Sequence, residues 1–342
     1  MNMKNNKTAV IKIESSKILD QYFKLLKKLG EGTFGVVMSV VDKRDGSNWA
    51  IKKVVKSRKF KGIKKSWERE FQILSKVQHP NIILLKEMYE TEHFAYLVLE
   101  LCDGLNLARQ LKLHKKFTDF ECSHVIFQVS SALSYLHRRH IVHRDVKMEN
   151  ILLRFDPNSK VSVSTQDDNV TMDQFSKNSL FPVTVKLADF GLSVELKKTE
   201  ETMIEFCGTP MYMAPEIIAG KSYSCQCDVW SLGIIMFQLL TGEVPFKSTR
   251  ESNLFAEILN FSVQKLCGPY PISKGAIECL NRLLHQDPAY RFSTFELIIN
   301  KWARQSVNKL DESACSTNVL QLMKDYYALS RTTQTSNCVQ EL

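Results

Sequence analysis

The stretch His143-Arg144-Asp145-Val146-Lys147-Met148-Glu149-Asn150 decides the fold, together with Asp189-Phe190-Gly191 further along the chain. Asp145 can orient a hydroxyl group and accept its proton, and Lys147 can neutralise charge on a group that is being transferred. Asn150 and Asp189 supply the hard oxygen ligands that Mg²⁺ prefers and usually shares with phosphates. These residue types are the components of a phosphoryl-transfer site, where catalysis depends on positioning and electrostatics.

A glycine-rich stretch precedes them, Leu29-Gly30-Glu31-Gly32-Thr33-Phe34-Gly35-Val36-Val37. Glycines allow backbone N–H groups to approach phosphate oxygens closely. The same spacing occurs in dinucleotide-binding turns, but such a turn opens directly into a helix. Here residues 36–41 continue as a β-like run, residues 42–47 form a turn and residues 49–52 indicate another strand. The pattern therefore favours a phosphate-binding hairpin over a dinucleotide-binding turn.

In this order the motifs resemble those of the eukaryotic protein kinases. Lys147 and Cys207-Gly208-Thr209-Pro210 are typical of the serine/threonine type. Among kinases the ordered set is most similar to the calcium/calmodulin-dependent group, and residues 207–216, 223–230 and 317–320 are the most specific part of the resemblance. The resemblance implies an α+β, bilobal fold with a small antiparallel-sheet lobe, which carries one key helix, and a larger, mainly helical lobe. The predicted organisation is a flexible leader (1–21), a kinase domain (22–303; small lobe 22–102, large lobe 103–303, polar insertion 156–182) and a tail (304–342).

The resemblance also implies a role for each residue that matches a motif of the family. Asp145 is the expected catalytic base, Asn150 and Asp189 the expected magnesium ligands, and Lys147 and Thr209 the remaining expected catalytic residues. The expected ATP-binding residues are Leu29, Gly30, Glu31, Gly32, Gly35, Val37, Ala50, Lys52, Glu70, Leu99, Glu100, Cys102 and Leu152. The expected structural residues are Glu216, Asp228 and Arg291.

Some of these residues also have a simpler interpretation. Lys52 begins a lysine-rich run, residues 52–65, in which most side chains are expected only to be solvated, and the glycine-rich stretch upstream is what favours a phosphate-binding role. Glu70 lies on a predicted helix, residues 66–77, where Glu68 is a nearby competitor for the same role. Asn106 replaces a glutamate that often contacts a substrate arginine in kinases, so an arginine preference is not predicted.

The activation segment, residues 189–216, suggests a hypothesis about regulation. In many kinases the residue four positions before Thr209 is phosphorylated and pairs with the arginine beside the catalytic aspartate, here Arg144. In this chain that residue is Glu205, whose carboxylate supplies one negative charge without modification. We therefore expect basal activity without phosphorylation at this position, whereas Thr199 and Thr202 are candidate regulatory sites.

Length and composition are typical of a globular protein of one large two-lobed domain: 342 residues, 44% hydrophobic and 24% charged. The nine cysteines lack paired metal-binding spacing, and reduced thiols are expected. No stretch predicts a signal peptide or a membrane span, so we expect a location in the cytoplasm or the nucleus and no membrane partner. The helical pattern of residues 318–329 is too sparsely basic to predict calmodulin binding.

Two other classes of function remain open from the sequence. A scaffold could use the same fold to bind partners without catalysis, although none of the expected catalytic groups is missing. Nucleic-acid binding through residues 52–65 is less favoured because the run lacks interleaved aromatic residues apart from Phe60. The leading expectation is ATP- and Mg²⁺-dependent phosphorylation of serine or threonine in protein substrates.

Overall fold

The computed structural model of the chain describes residues 10–32, 35–56, 66–155, 183–197 and 201–307. In these residues a sheet-rich small lobe precedes a mainly helical large lobe, which confirms the predicted bilobal α+β fold. The predicted insertion at 156–182 and the tail from residue 308 onward lie outside the described residues.

Six strands form the sheet of the small lobe: β1 (Val10–Lys12), β2 (Phe23–Gly32), β3 (Gly35–Asp42), β4 (Asn48–Val55), β5 (Leu85–Glu90) and β6 (Phe94–Glu100). Their order across the sheet is β1-β5-β6-β4-β3-β2. All neighbours are antiparallel except β1 and β5, which are parallel. The β3–β4 turn requires a left-handed backbone at Gly46, whose φ is 76°, and glycine adopts this at no steric cost.

Residues 10–21 do not form the flexible leader that the sequence predicts. Strand β1 pairs with β5, so that Val10 lies opposite Met88, and the short helix α1 (Leu19–Tyr22) follows. Leu19 and Phe23 are buried in a cluster on one face of the sheet that also contains Tyr89. A strand of three residues leaves too short an alternation to recognise in sequence, and its partner is distant along the chain.

Helix α2 (Ser66–Leu74) is the helix that the resemblance predicts for the small lobe. It buries Trp67, Glu70, Ile73 and Leu74, and it ends three residues earlier than the predicted 66–77 range. After the helix, the chain turns through residues 75–76, and the Gln78 backbone N–H donates to the Tyr135 hydroxyl at 2.9 Å. The helix is thereby joined to the large lobe at its C-terminal side.

The helices of the large lobe surround a core in which α6 is almost completely buried. Thr118 and Glu121 form a capping box, which begins α4 at Asp119. Helix α6 ends at Gly242, which has a left-handed φ of 77°. The helices are α3 (Leu107–His114), α4 (Asp119–His137), α5 (Pro215–Ile218), α6 (Gln226–Thr241), α7 (Glu251–Asn260), α8 (Val263–Cys267), α9 (Lys274–Leu283) and α10 (Thr294–Ile299).

Two short strand pairs position the two motifs with which the sequence analysis begins. Strand β7 (Ile141–Val142) pairs with β10 (Val194–Glu195), and β8 (Ile151–Phe155) pairs with β9 (Val183–Leu187). The loop 143–150 connects β7 to β8, and residues 189–191 begin one residue after the end of β9. Because the Ala188 N–H donates to the Asn150 carbonyl at 2.9 Å, the two motifs lie side by side.

In the described ranges, no helix is both long and apolar enough to cross a membrane.

Candidate active site

Asp145 lies at the centre of a compact hydrogen-bonded group. Its Oδ1 accepts a hydrogen bond from the Thr209 hydroxyl at 2.7 Å, and its Oδ2 accepts one from Lys147 Nζ at 2.7 Å. Lys147 Nζ also donates to Thr209 Oγ1 at 2.9 Å. Asn150 Nδ2 donates to the backbone carbonyl of Asp145 at 2.9 Å and to Oδ2 at 3.1 Å. Asp145 therefore contacts each of the other three expected catalytic residues.

Asp228 fixes the backbone of the same loop from beneath. Its carboxylate accepts the backbone N–H groups of His143 at 2.9 Å and Arg144 at 2.8 Å. Arg144 has a φ of 66°, a left-handed conformation that costs energy for a side chain of this type. The two hydrogen bonds to a buried carboxylate stabilise that conformation. Asp228 thus holds the backbone at the start of the loop.

His137, which the sequence analysis does not single out, completes the surroundings of Asp228. Its Nε2 lies 2.8 Å from Asp228 Oδ2, and both side chains are buried. Burial lowers the pKa of His137, but the hydrogen bonds to Asp228 and Cys225 outweigh it and raise the pKa to about 9. Burial has the opposite effect on Asp228 and raises its pKa. The hydrogen bond with His137 outweighs burial, so the pKa of Asp228 lies below its usual value. The pair is therefore an imidazolium and a carboxylate near neutral pH.

Lys52 connects the small lobe to the end of β9. Its Nζ lies 2.7 Å from Glu70 Oε2 on α2 and 3.4 Å from Asp189 Oδ1. Burial lowers the pKa of Lys52, but the charges of the two carboxylates outweigh it, so the net pKa is raised and the side chain stays charged. Burial raises the pKa of Glu70 against the opposing effect of Lys52. Glu70, and not the competitor Glu68, is the partner of Lys52.

Most of the residues expected to bind ATP lie on the neighbouring strands β2, β3, β4 and β6. In the sheet, Val37 pairs with Lys52 and Ala50 pairs with Leu99. Gly35 has a φ of 134°, and a Cβ there would lie 2.0 Å from the Lys53 carbonyl oxygen, so no other residue fits. The other residues expected to bind ATP differ in burial. Glu100 is buried and Glu31 is exposed, whereas Leu29, Gly30, Cys102 and Leu152 are half-buried. Gly32 pairs with Gly35.

The activation segment contacts the loop through Arg144. Arg144 Nη1 donates to Glu205 Oε2 at 2.8 Å, and Arg144 Nε donates to the Leu192 carbonyl at 2.7 Å. The contact predicted between Arg144 and Glu205 is therefore present. Of the two candidate regulatory threonines, Thr202 is exposed, and Thr199 lies outside the described residues.

Residues 23–303 match the family model described as protein kinase domain, which covers most of the chain. The chain belongs to the protein kinase family. The chain is 38% identical over 320 residues to serine/threonine-protein kinase 33 of Mus musculus, in an alignment covering 92% of this chain and 61% of the relative. It thus spans less than two thirds of that relative's length.

Two further relatives agree with this assignment. The kinase is 36% identical over 286 residues to hormonally up-regulated neu tumor-associated kinase of Homo sapiens, covering 82% of this chain and 36% of the relative. It is 34% identical over 316 residues to calcium/calmodulin-dependent protein kinase type 1 of Macrobrachium nipponense, in an alignment covering 91% of this chain and 83% of the relative. The predicted resemblance to serine/threonine kinases of the calcium/calmodulin-dependent group is confirmed.

A buried ion pair anchors the end of the kinase activation segment. Arg291 donates to both carboxylate oxygens of Glu216, at 2.7 Å and 2.6 Å. It also donates to the backbone carbonyls of Gln226, His285 and Gln286. All five guanidinium N–H donors are therefore used, as expected for a structural pair.

Glu100, one of the expected ATP-binding residues, also makes side-chain contacts that the sequence did not indicate. Its carboxylate pairs with Lys186 Nζ on β9 at 2.8 Å and with Arg154 on β8. The Leu84 backbone N–H also approaches Glu100 Oε2, at 3.3 Å. These contacts hold the end of β6 against the β8–β9 strand pair, which precedes Asp189. Lysine and arginine in strands carry no sequence signal for such a long-range partner.

The donor set of the kinase site fits magnesium better than a metal held entirely by protein. Both hydrogen bonds that position Asn150 use its amide nitrogen, which leaves its oxygen for a cation, and the Asp189 side chain is 24% exposed. Among the described residues, no cluster of three or more His, Cys, Asp or Glu side chains is arranged to bind a metal. Two such oxygens beside the buried cation of Lys52 match the way Mg²⁺ is usually shared between carboxylate or amide oxygens and phosphates.

Proposed function

We propose that the chain is a protein serine/threonine kinase that transfers the γ-phosphoryl group of Mg-ATP to serine or threonine hydroxyls of protein substrates. The observation that carries the proposal is the contact of Asp145 with both Lys147 and Thr209, at 2.7 Å each. Family membership and relatives named as serine/threonine kinases support it. No expected catalytic group is missing, so we favour catalysis over a scaffold function.

The roles of the individual residues follow from their positions. Asp145 orients the substrate hydroxyl and accepts its proton, while Thr209 fixes the direction of the carboxylate. Lys147, in contact with both, stabilises negative charge on the group in transfer. Lys52, oriented by Glu70, holds the nucleotide phosphates. Bound Mg²⁺ supplies additional positive charge that offsets the charge of the phosphates, and Asn150 and Asp189 are the residues that would hold it.

The nucleotide base fits between the apolar residues of the two lobes. In this proposal Val37 and Ala50 cover one face of adenine and Leu152 the other, with Leu99 behind it. The backbone of residues 100–102, where β6 ends, binds its edge, and Gly32 and Gly35, which pair at the ends of β2 and β3, lie over the phosphates. The substrates are proteins with serine or threonine acceptors in the cytoplasm or the nucleus, and neither a nucleic acid nor a membrane is required as a partner.

The test is transfer of labelled γ-phosphate from Mg-ATP to a serine/threonine peptide library by wild type and Asp145→Asn. Because loss of the base removes proton acceptance and misorients the hydroxyl, we expect kcat to fall by about 10³-fold or more. Melting temperatures serve as the folding control. Undiminished transfer by the variant would contradict the proposal, and binding of Mg-ATP without transfer by the wild type would favour a scaffold.

A further inference from the structure

Lys186 is a buried lysine of the large lobe that contacts the end of the small-lobe sheet. It lies on β9, three residues before Asp189, and its side chain is 9% exposed. Its Nζ pairs at 2.8 Å with Oε2 of Glu100, the last residue of β6, whose side chain is 8% exposed. A buried charge is costly unless it is paired, so each of the two side chains holds the other in place.

The Glu100 carboxylate also binds two other segments. Its Oε1 accepts a hydrogen bond from Arg154 on β8, and the N–H of Leu84, the residue before β5, lies 3.3 Å from its Oε2. The Glu100 N–H donates in turn to the Leu84 carbonyl at 2.9 Å. Arg154 is 44% exposed, so water solvates part of its charge, whereas Lys186 depends on Glu100. The carboxylate therefore joins the end of β6 to both lobes.

The residues that follow Glu100 are fixed separately, by β8. The Gly104 N–H donates to the Leu153 carbonyl at 2.8 Å, and the Leu153 N–H donates to the Leu105 carbonyl at 3.0 Å. A Cβ at Gly104 would lie 2.7 Å from the Leu153 carbonyl oxygen, so this close approach requires glycine. Residues 101–102 are thus held on one side by Glu100 and on the other by β8.

We propose that Lys186 is a positioning residue for nucleotide binding, which acts through Glu100 to fix the backbone of residues 100–102. This inference rests on the proposed function, in which that backbone binds the edge of adenine. Neither side chain needs to touch the nucleotide. A base that binds through backbone groups requires donors and acceptors at fixed positions, and a backbone already held there loses less conformational entropy on binding. Loss of the pair therefore weakens nucleotide binding and leaves the chemistry at Asp145 in place.

The experiment measures binding of Mg-ADP by isothermal titration calorimetry to wild type and Glu100→Gln/Lys186→Met. The double variant removes both buried charges, so only the partly exposed Arg154 loses its carboxylate. We expect the Kd to rise about tenfold because the backbone is no longer held in position. In transfer assays the KM for ATP should rise in parallel, whereas kcat at saturating ATP should fall by less than about twofold.

Two further variants complete the experiment. Glu100→Asp keeps the charge but withdraws the carboxylate from Lys186, and it should have an intermediate Kd. Lys56→Met/Glu90→Gln is the matched control. This ion pair is also partly buried, with side chains 15% and 22% exposed, and it lies at the opposite end of β5 from Glu100. Its removal is expected to leave the Kd for Mg-ADP unchanged, even where the melting temperature falls.

The binding measurement requires no phosphoryl transfer, so it separates this inference from the proposed function. If the wild type binds Mg-ADP but transfers no phosphate, the kinase proposal fails, and the Kd values still decide the role of Lys186. Equal Kd values for wild type and either folded Glu100 variant overturn the inference, whatever happens to the melting temperature. An equal loss of affinity in the control overturns it as well, and a wild type that does not bind Mg-ADP overturns both proposals.

Discussion

Two buried ion pairs of this kinase have similar chemistry but different surroundings. Arg291 and Glu216 are 0% and 5% exposed, and the guanidinium uses all its donors on the carboxylate and three carbonyls. Lys52 is 11% exposed and is shared unequally between Glu70 and Asp189, at 2.7 Å and 3.4 Å. The first pair is saturated and sealed, which suits a structural role. The second lies at the edge of the site, where a compact ammonium can also attract phosphate oxygens.

The largest expected effect comes from removing both charges of the second pair. Lys52→Met/Glu70→Gln removes both buried charges and leaves only the partly exposed Asp189 carboxylate without its cation, so we expect the free energy of unfolding to change by only about 1 kcal/mol. Activity should fall by about 10²–10³-fold because the phosphates lose a positioned cation. Phosphate transfer and urea unfolding measure the two effects. Equal losses in folding and activity would show that this pair is structural as well.

The first pair should show the opposite behaviour. Arg291→Met leaves the Glu216 carboxylate buried without its cation, and we expect the free energy of unfolding to fall by about 3–5 kcal/mol. Urea denaturation provides the measurement, and kcat per folded molecule should change little. Arg291→Met/Glu216→Gln is the control, and it should recover most of the loss. If the double variant is as unstable as the single one, the lost carbonyl hydrogen bonds and not the charge explain the effect.

A third pair, His137 and Asp228, adds a titratable partner to the comparison. The pKa of His137 is raised from 6.5 to about 9 in the folded protein. Its stabilising effect is therefore complete below pH 6.5 and is lost as the pH rises through 9, a change of about 3 kcal/mol. The difference in unfolding free energy between wild type and His137→Gln should shrink across that range. A difference that does not vary with pH would show that His137 is neutral when folded.

The residues of the site could be predicted because their spacing along the chain is distinctive. Asp145, Lys147 and Asn150 lie within one loop, and the glycines lie within one hairpin, so a short window contains each signal. Thr209 and Arg291 follow from the same ordered set of motifs. The contact between Glu205 and Arg144 was predictable only because the resemblance indicates where the arginine's partner lies, and its effect on activity stays a prediction.

What could not be predicted depends on pairs that are distant in sequence. His137 ends an ordinary amphipathic helix, and nothing in α4 indicates that it faces Asp228. Lys186 and Glu100 each lie in a mostly apolar strand, and the pattern of such a strand does not indicate which residue its charged side chain pairs with. Burial of such polar residues is decided by tertiary packing, to which local periodicity is insensitive. For the same reason the strand at Val10–Lys12 was missed.

Strand β1 has a consequence for the solution behaviour of the kinase. Without it, residues 88–90 of β5 would form an open sheet edge, and unpaired N–H and C=O groups along such an edge can pair with a second molecule. With it, the outermost strand is only three residues long and carries Lys12, a combination that discourages edge-to-edge association. A protein shortened to begin at residue 23, where the family match starts, would therefore be expected to aggregate more readily at high concentration.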